Sequence, residues 1–272
     1  MSSIAPDLVV TLGEPPARRC LVAVCCNTPM VYQKTAQSLM EMGWGNRVES
    51  AKSAHGFAAI DFMWATTFPR VDALRDSVSA LAIAEGFTHI LFLDADMVWP
   101  TDTLTRMLAH HDKGIVGGLY VMRHPPFAPV ALKDGQPASD GSTVLMYDHA
   151  AVNLDDDALL PVDVLGMGCT LIPVDVFEKI GPRPWFEYAN DDAGWPCVTE
   201  DVPFCQKAAK AGVPIWLDPT ISCGHLTTHV VDRRTSARYR ADHDRILAQM
   251  PIRVVERPGI GPTTTERPTE AA

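Results

Sequence analysis

The segment His89-Ile-Leu-Phe-Leu-Asp-Ala-Asp96 is the strongest indicator of the fold, because an uninterrupted apolar run leads directly into two carboxylates spaced i, i+2. Such a run is typical of a strand buried on both faces, as in a parallel sheet covered by helices. In open α/β sheets, ligands collect at the carboxyl ends of the strands, which is where Asp94 and Asp96 fall. The segment therefore predicts a buried central strand that ends in an acidic ligand site.

Short apolar runs alternate with helical patterns on both sides of this segment. Strands are predicted over residues 21–26, 57–63 and 114–121, and helices are predicted to end near 42, to run from 71 to a stop at Gly86, and to run from 100 to about 111. This rhythm predicts an α/β fold of the Rossmann-like kind, with a mostly parallel central sheet flanked by helices.

The sequence after residue 125 is less regular. It predicts hairpins and loops over 130–163, a short helix over 174–180, a helix over 199–211 that stops at Gly212, and strands over 215–217 and 221–223. Residues 1–18 and 246–272 have no clear period and are predicted to be flexible tails. A chain of 272 residues predicts one large domain, which we divide into a first half over 19–125 and a second half over 126–245.

Composition narrows the kind of protein. The formal net charge of -10 argues against broad adhesion to a phosphate backbone, although it leaves room for a local basic groove. Seven cysteines, an odd number, lie mostly in apolar runs without a CxxC pair, so we expect reduced thiols in a cytoplasmic protein and no structural zinc site. No apolar stretch approaches the length of a membrane helix, so no membrane span is expected.

The acidic pair has two interpretations. Two close carboxylates repel each other unless a positive charge neutralises them, and a hard divalent cation such as Mg²⁺ or Mn²⁺ is the usual partner. Such an ion keeps open positions for diphosphate oxygens and stabilises the charge of a departing nucleoside diphosphate. The alternative is that Asp94 and Asp96 only cap the turn before the next helix.

Two further segments carry candidate functional groups. Thr199-Glu-Asp-Val-Pro-Phe-Cys205 opens a helix, with Thr199 as its expected N-cap, and Glu200 or Asp201 could cap the helix or serve as a general base facing a cleft. His225 follows Gly224 at the end of an apolar strand. A lone histidine is more often structural than a ligand.

The order of these motifs resembles the GT-A glycosyltransferase superfamily, especially the family-2-like enzymes of bacteria and bacteriophages. The resemblance covers roughly residues 20 to 230 and is carried by Phe68 to Arg75, Phe92-Leu-Asp-Ala-Asp-Met97, Ile115-Val-Gly-Gly-Leu-Tyr120, Gly166-Met-Gly-Cys169, Thr199-Glu-Asp-Val-Pro-Phe-Cys205 and Asp218-Pro-Thr-Ile-Ser-Cys-Gly-His225. It implies a GT-A fold whose first half binds the nucleotide sugar and whose smaller second part binds the acceptor and completes the metal site.

The resemblance also implies roles for individual residues. Asp96 would be the principal ligand of Mn²⁺ or Mg²⁺, with His225 completing the metal site and Asp94 contacting the ribose or the metal. Asp201 would be the base of an inverting reaction, and Glu200 would orient the acceptor. The nucleotide sugar, a UDP-sugar, would be bound by Thr28, Pro29, Arg75, Asp94, Ala95, Asp96, Gly166 and Gly168, and Trp185 or Trp195 could stack on a sugar or belong to the core.

The family often has Ala-Arg-Asn where this chain has Leu74-Arg75-Asp76, which leaves the role of Asp76 open. The acceptor hydroxyl stays open as well, because it could belong to a protein, a glycan or a hydroxymethylated pyrimidine of phage DNA. A nucleotidyltransferase would also hold a metal at a strand end but would want a Gly-rich basic phosphate loop, which residues 24–29 lack. A non-catalytic carbohydrate-binding module would leave Asp96, Glu200, Asp201 and His225 unexplained. The sequence leaves the oligomeric state unknown.

Overall fold

The protein is described by a computed structural model over residues 17–28, 30–43, 45–137, 144–153, 157–190, 196–227, 230–233, 236 and 252–255. Its helices are α1 Gln33–Gly43, α2 Arg47–His55, α3 Val71–Ala84, α4 Thr103–Leu108, α5 Asp175–Ile180 and α6 Asp201–Lys210. Its strands are β1 Arg18–Cys25, β2 Phe57–Ala65, β3 His89–Asp94, β4 Met97–Val98, β5 Ile115–Leu119, β6 Ala131–Pro137, β7 Val144–His149, β8 Leu160–Pro161, β9 Val164–Leu165, β10 Cys169–Pro173, β11 Ala189–Asn190, β12 Pro196–Val198, β13 Ile215–Ser222, β14 Gly224–Leu226, β15 Val230–Val231 and β16 Ile252–Val255.

A seven-stranded sheet in the order β2-β1-β3-β10-β5-β13-β8 forms the centre of the protein. Strands β2, β1, β3, β5 and β13 run in one direction, whereas β10 and the edge strand β8 run against them. The predicted fold class, α/β with a mostly parallel central sheet flanked by helices, is confirmed. Strands from both predicted halves of the chain enter this one sheet.

The apolar run that precedes Asp94 is buried on both faces of the sheet. Ile90 and Phe92 pack into one core cluster, and Leu91 and Leu93 pack into the cluster on the opposite face. Successive side chains of a strand point to opposite faces, so an uninterrupted apolar run fills both clusters. This burial fixes the end of β3, and with it the acidic motif, against the rest of the domain.

The antiparallel strand β10 brings a glycine-rich turn beside the acidic motif. Cys169 of β10 pairs with Leu93 of β3, and the carbonyl of Gly168 accepts the amide N–H of Asp94 at 3.2 Å. A short run such as 169–173 does not reveal its strand partner from the sequence, so this insertion was not predicted. It places the segment over residues 166–168 at the carboxyl end of β3.

A small three-stranded sheet, β15-β14-β4, carries the second candidate segment to the same place. His225 of β14 pairs with Met97 of β4, and the amide N–H of Leu226 donates to the carbonyl of Asp96 at 2.8 Å. Residues that are 128 and 130 positions apart in sequence are thereby joined through backbone pairing next to the acidic motif.

Several elements differ from the sequence-based expectation. Helix α2 was missed because it is polar and buries only Ala51, and α4 is shorter than the predicted helix over 100–111. Strand β13 is continuous, with a register shift between Asp218 and Ser222, where two strands were predicted. Strand β16 pairs with β7 inside the stretch that was predicted to be a tail.

No helix within the described ranges is long and apolar enough to span a bilayer. The six cysteines whose side chains are described are free, buried thiols, namely Cys20, Cys25, Cys26, Cys169, Cys205 and Cys223. Burial raises the pKa of Cys20 and Cys205 to about 12, so these thiols stay protonated and behave as small apolar side chains.

Candidate active site

The acidic motif lines a cavity of about 700 Å³ at the carboxyl ends of the parallel strands. Asp94 ends β3 next to Cys25 of β1, and the amide N–H of Ala95 donates to the Cys25 carbonyl at 3.2 Å. The cavity is within the size range of small-molecule sites. Its lining includes most of the expected site residues, namely Thr28, Arg75, Asp94, Ala95, Asp96, Glu200 and Asp201.

Asp96 and His225 face each other across a short gap. Nε2 of His225 lies 3.6 Å from Oδ2 of Asp96, which is too long for a hydrogen bond. Nδ1 of His225 lies 2.9 Å from the Val121 carbonyl, and because a carbonyl can only accept, Nδ1 is the protonated nitrogen. In the neutral ring, Nε2 therefore turns its lone pair toward the carboxylate oxygen.

Arg123 also reaches Asp96. Its Nη1 lies 2.9 Å from Oδ2 of Asp96, the same oxygen that faces His225. Burial raises the pKa of Asp96, but His225 in its protonated form and the Arg123 guanidinium outweigh it, so the pKa is below its usual value. Asp96 is therefore a carboxylate at neutral pH and attracts cations.

Arg75, on α3, lines the cavity and joins the two candidate segments. Nη2 of Arg75 lies 2.5 Å from Oδ1 of Asp94, and Nη1 contacts Oε1 of Glu200. The side chains of Arg75 and Glu200 are each 4% exposed, whereas that of Asp94 is 28% exposed. Burial disfavours the charge of Arg75, but Asp94 raises its pKa above the usual value, so it remains a guanidinium.

Asp201 begins α6 and also lines the cavity. Its Oδ1 accepts the Thr199 hydroxyl at 2.5 Å and the amide N–H of Val202 at 3.0 Å. The prediction that Thr199 caps this helix is wrong, because the helix begins later and the Thr199 hydroxyl donates to a carboxylate instead of accepting an amide. Burial raises the pKa of Asp201, although Thr199 and Arg75 act against that rise.

Gly166 and Gly168 lie against the ring of Tyr120. A Cβ atom on Gly166 would overlap the Tyr120 hydroxyl and lie 2.6 Å from Val130, and one on Gly168 would lie 3.0 Å from the ring. The Tyr120 hydroxyl accepts the amide N–H of Gly168 at 3.2 Å. The two glycines thus let Tyr120 pack beneath the site, and Met167 between them lines the cavity.

The remaining expected residues fall in different places. Thr28 lies at the rim of the cavity, where its hydroxyl donates to the Met30 carbonyl at 2.8 Å. Trp185 is buried against Phe177 in the core and does not line this cavity. Pro29 and Trp195 lie outside the described residues.

The donor atoms fit a divalent cation that is completed by a substrate. A carboxylate oxygen and an imidazole lone pair 3.6 Å apart can bind one ion at about 2.1 Å from each. Within the described ranges, no three His, Cys, Asp or Glu side chains converge as a ligand cluster. An ion held by two side chains keeps open positions for phosphate oxygens and water. Because Mg²⁺ prefers oxygen ligands, the imidazole nitrogen favours Mn²⁺ over Mg²⁺.

Sequence reasoning missed Tyr120, Arg123 and Tyr188, all of which line the cavity. Arg123 could have been predicted, because it follows the carboxyl end of the parallel strand β5. Ligands collect at the carboxyl end of every parallel strand, as they were expected to do at Asp94. Tyr188 follows an irregular segment without periodicity, and nothing in the sequence relates it to the acidic motif.

The arrangement defines an α/β protein with an acidic, histidine-containing site at the carboxyl ends of its parallel strands. No protein-family model and no curated protein sequence matches the chain. Among solved structures, the chain is similar to A197 from STIV, with a TM-score of 0.50 and 12% identity over 92% of this chain and 100% of that one. This likeness concerns the fold.

Two further solved structures show a weaker likeness. One is GalNAc-T7 with UDP, GalNAc and Mn²⁺, with a TM-score of 0.47 and 10% identity over 79% of this chain and 45% of that one. The other is a UDP-glucose pyrophosphorylase complexed with UDP-glucose, with a TM-score of 0.37 and 10% identity over 86% of this chain and 99% of that one. Scores below 0.5 do not establish a shared fold.

Proposed function

We propose that this protein is a metal-dependent glycosyltransferase that moves a sugar from a UDP-sugar to an acceptor hydroxyl with inversion at the anomeric carbon. The observation that carries the proposal is that Asp96 lines the same cavity as Asp201 and that Nε2 of His225 lies 3.6 Å from its Oδ2. The order of the motifs, which resembles that of GT-A enzymes, supports the same activity.

Asp96 and His225 would hold the divalent cation, with Asp94 beside them. When bound, this ion would stabilise the negative charge that develops on the departing diphosphate. The Val121 carbonyl holds the His225 ring in the tautomer that a ligand needs, as backbone carbonyls commonly do for ligating histidines. The backbone bond between Leu226 and Asp96 keeps the two side chains in register.

Asp201 is the residue proposed to take the proton from the acceptor hydroxyl. Burial raises its pKa toward the range in which a carboxylate is a more effective base. The Thr199 hydroxyl and the Val202 amide both donate to Oδ1, which holds the carboxyl group in one orientation. Its second oxygen, Oδ2, is the atom we assign to the acceptor.

Glu200 is proposed to orient the site through Arg75 and not by direct contact, because its side chain is 4% exposed. Arg75 fixes the Asp94 carboxylate at the floor of the cavity, where Asp94 would contact the ribose or the metal. Thr28 and Pro29 would border the nucleotide, and Gly166 and Gly168 would border the sugar.

The acceptor is proposed as a hydroxyl of a protein, a glycan or a hydroxymethylated pyrimidine in DNA. The net charge of -10 favours a non-DNA acceptor, since duplex DNA is bound mainly through Lys and Arg contacts to phosphate. A gel shift with modified and plain duplex DNA separates these cases. If neither duplex is shifted, DNA is excluded as the acceptor, and a protein or a glycan is left.

Donor use can be tested with a panel of nucleotide sugars and Mn²⁺, scored by release of UDP or GDP. We expect UDP release that a strong chelator abolishes, and a loss of at least about 100-fold in kcat/KM for Asp96→Asn and His225→Ala. Matched controls are Asp102→Asn, an exposed carboxylate paired with Arg106, and His124→Ala, which lies in the loop after β5. Full activity of the Asp96 and His225 variants, or activity in the chelator, would contradict the metal-centred site.

The stereochemical part of the proposal is tested separately by NMR of the product. Inversion at the anomeric carbon together with inactive Asp201→Asn supports Asp201 as the base. A retained configuration would remove Asp201 from that role while leaving the metal centre intact.

A further inference from the structure

Arg123 has a position in the cavity that the reaction proposed above does not use. Its Nη1 lies 2.9 Å from Oδ2 of Asp96, and Nε2 of His225 lies 3.6 Å from the same oxygen. A guanidinium and an imidazole therefore converge on one carboxylate oxygen, which is also the oxygen assigned to the cation.

We propose that Arg123 competes with the divalent cation for Asp96, and that the phosphates of a nucleoside diphosphate relieve this competition by taking over the guanidinium. The cation would then bind tightly only together with the nucleotide. This inference rests on the proposed function, because it assigns a role to Arg123 at the same metal and donor site.

The competition follows from charge and distance. A divalent cation bound to Asp96 and His225 would lie within a few ångströms of the guanidinium that also contacts Asp96, and like charges at that distance repel each other. A single carboxylate also compensates the guanidinium and the dication less well than it compensates either one alone. Metal binding without another anion therefore requires Arg123 to move.

The Arg123 side chain can move while its loop stays in place. The side chain is 50% exposed, whereas the backbone around it is held by the amide N–H of Met122, which donates to the Ala128 carbonyl at 2.9 Å, and by a bridge between Val121 and Pro129. Val121 and Phe127 are packed in a small apolar cluster. Rotation of the side chain thus leaves the Val121 carbonyl, and with it the orientation of His225, unchanged.

A diphosphate is a suitable second partner for this side chain. A guanidinium binds phosphate oxygens through two parallel N–H donors, and such charge-assisted bonds are stronger than neutral ones. The diphosphate that supplies oxygens to the cation at Asp96 would lie within reach of a side chain that already extends to Asp96. One anion would therefore satisfy both the cation and Arg123.

The test is a titration of the full-length protein with Mn²⁺, read by the electron paramagnetic resonance signal of free Mn²⁺, with and without saturating UDP. We expect Arg123→Met to bind Mn²⁺ alone about tenfold more tightly than the parent and to bind UDP, measured by calorimetry in saturating Mn²⁺, about tenfold more weakly. Arg123→Lys keeps the charge, so its affinity for Mn²⁺ alone should match the parent, while its affinity for UDP should fall.

Lys179→Met is the matched control, since it removes one positive charge from a surface ion pair with Asp175 whose lysine is 53% exposed. It should match the parent in both titrations, and circular dichroism confirms folding of every variant. Unchanged affinity of Arg123→Met for Mn²⁺ alone, with normal Mn²⁺ binding in UDP, would overturn the competition and leave the proposed function standing. Absence of Mn²⁺ binding to the folded parent even with UDP would overturn both.

Discussion

Nη2 of Arg75 lies 2.5 Å from Oδ1 of Asp94, so a buried residue of α3 is the counter-ion of the first carboxylate in the acidic motif. The same guanidinium contacts Glu200, which precedes α6. The two candidate segments are thus connected by one cation that lines the cavity. The stability of the domain and the geometry of its site both depend on this connection.

We expect Arg75→Met to lower the free energy of unfolding by about 3–5 kcal/mol, because it leaves the buried carboxylate of Glu200 without a partner. The double variant Arg75→Met/Glu200→Gln should be more stable than the single variant, since the uncompensated charge is removed. Urea unfolding of the parent, both single variants and the double variant measures this coupling. Additive effects of the two substitutions would show that the pair does not interact as described.

Asp76 has a structural role that the sequence left open. Its carboxylate accepts the backbone N–H of Trp185 at 2.7 Å and pairs with Arg183 at 2.7 Å, which ties α3 to the segment after α5. Asp76→Ala should lower the free energy of unfolding by about 2–3 kcal/mol, because a buried amide loses its acceptor. Arg183→Met, at a half-exposed position, should have the smaller effect of about 1 kcal/mol. Equal effects in urea unfolding would contradict this assignment.

Gly166 should tolerate no side chain. A Cβ atom there would overlap the Tyr120 hydroxyl, so we expect Gly166→Ala to lower the free energy of unfolding by about 2–3 kcal/mol through overpacking. Tyr120→Phe in the same chain should recover part of this loss because it removes the overlapped oxygen. If Gly166→Ala had the same melting temperature as the parent, the close approach of Tyr120 to Gly166 would not be rigid.

Acid should destabilise the fold through the histidines at the opposite end of the sheet. Burial lowers the pKa of His89, and the nearby charges of His111 and Arg18 lower it further. The hydrogen bond to the His111 carbonyl and the charge of Asp175 raise it, but by less. Burial also lowers the pKa of His111. Since the folded pKa lies below the ordinary value of 6.5, the unfolded chain binds more protons in acid.

The contribution of these histidines is therefore complete above about pH 6.5 and declines as the pH falls below it. Urea unfolding at pH 7.5, 6.0 and 5.0 should show a falling free energy of unfolding. The variant His89→Gln, whose amide can replace part of the hydrogen bonding, should show a shallower decline between pH 7.5 and 5.0. Parallel profiles for the parent and His89→Gln would remove His89 as the cause.

The sequence was sufficient where local pattern and burial agree. The apolar run before Asp94 predicts a buried strand, and the rule for strand ends predicts that Asp94 and Asp96 lie together at its carboxyl end, where both line a cavity. The stop of α3 near Gly86 was also predicted, and that glycine has a φ of 71°. These features depend on nearest neighbours along the chain.

The sequence was insufficient where a feature depends on contacts between distant segments. The insertion of β10 between β3 and β5, the burial of Glu200 against Arg75, and the approach of Arg123 to Asp96 join residues that are 27 to 125 positions apart. No local periodicity records such pairings. The Thr199 cap failed for a local reason, because the Asp201 carboxylate two residues further on accepts both the Thr199 hydroxyl and the amide N–H of Val202 that a cap at Thr199 would accept.

Asp96 and His225 are proposed to hold a divalent cation together with a nucleoside diphosphate. An anomalous-scattering map from crystals of the full chain grown with Mn²⁺ and UDP would locate this cation. We predict one manganese peak bonded to Asp96, His225 and the diphosphate. A map that shows UDP in the cavity with no manganese peak between these two side chains would rule out this metal site.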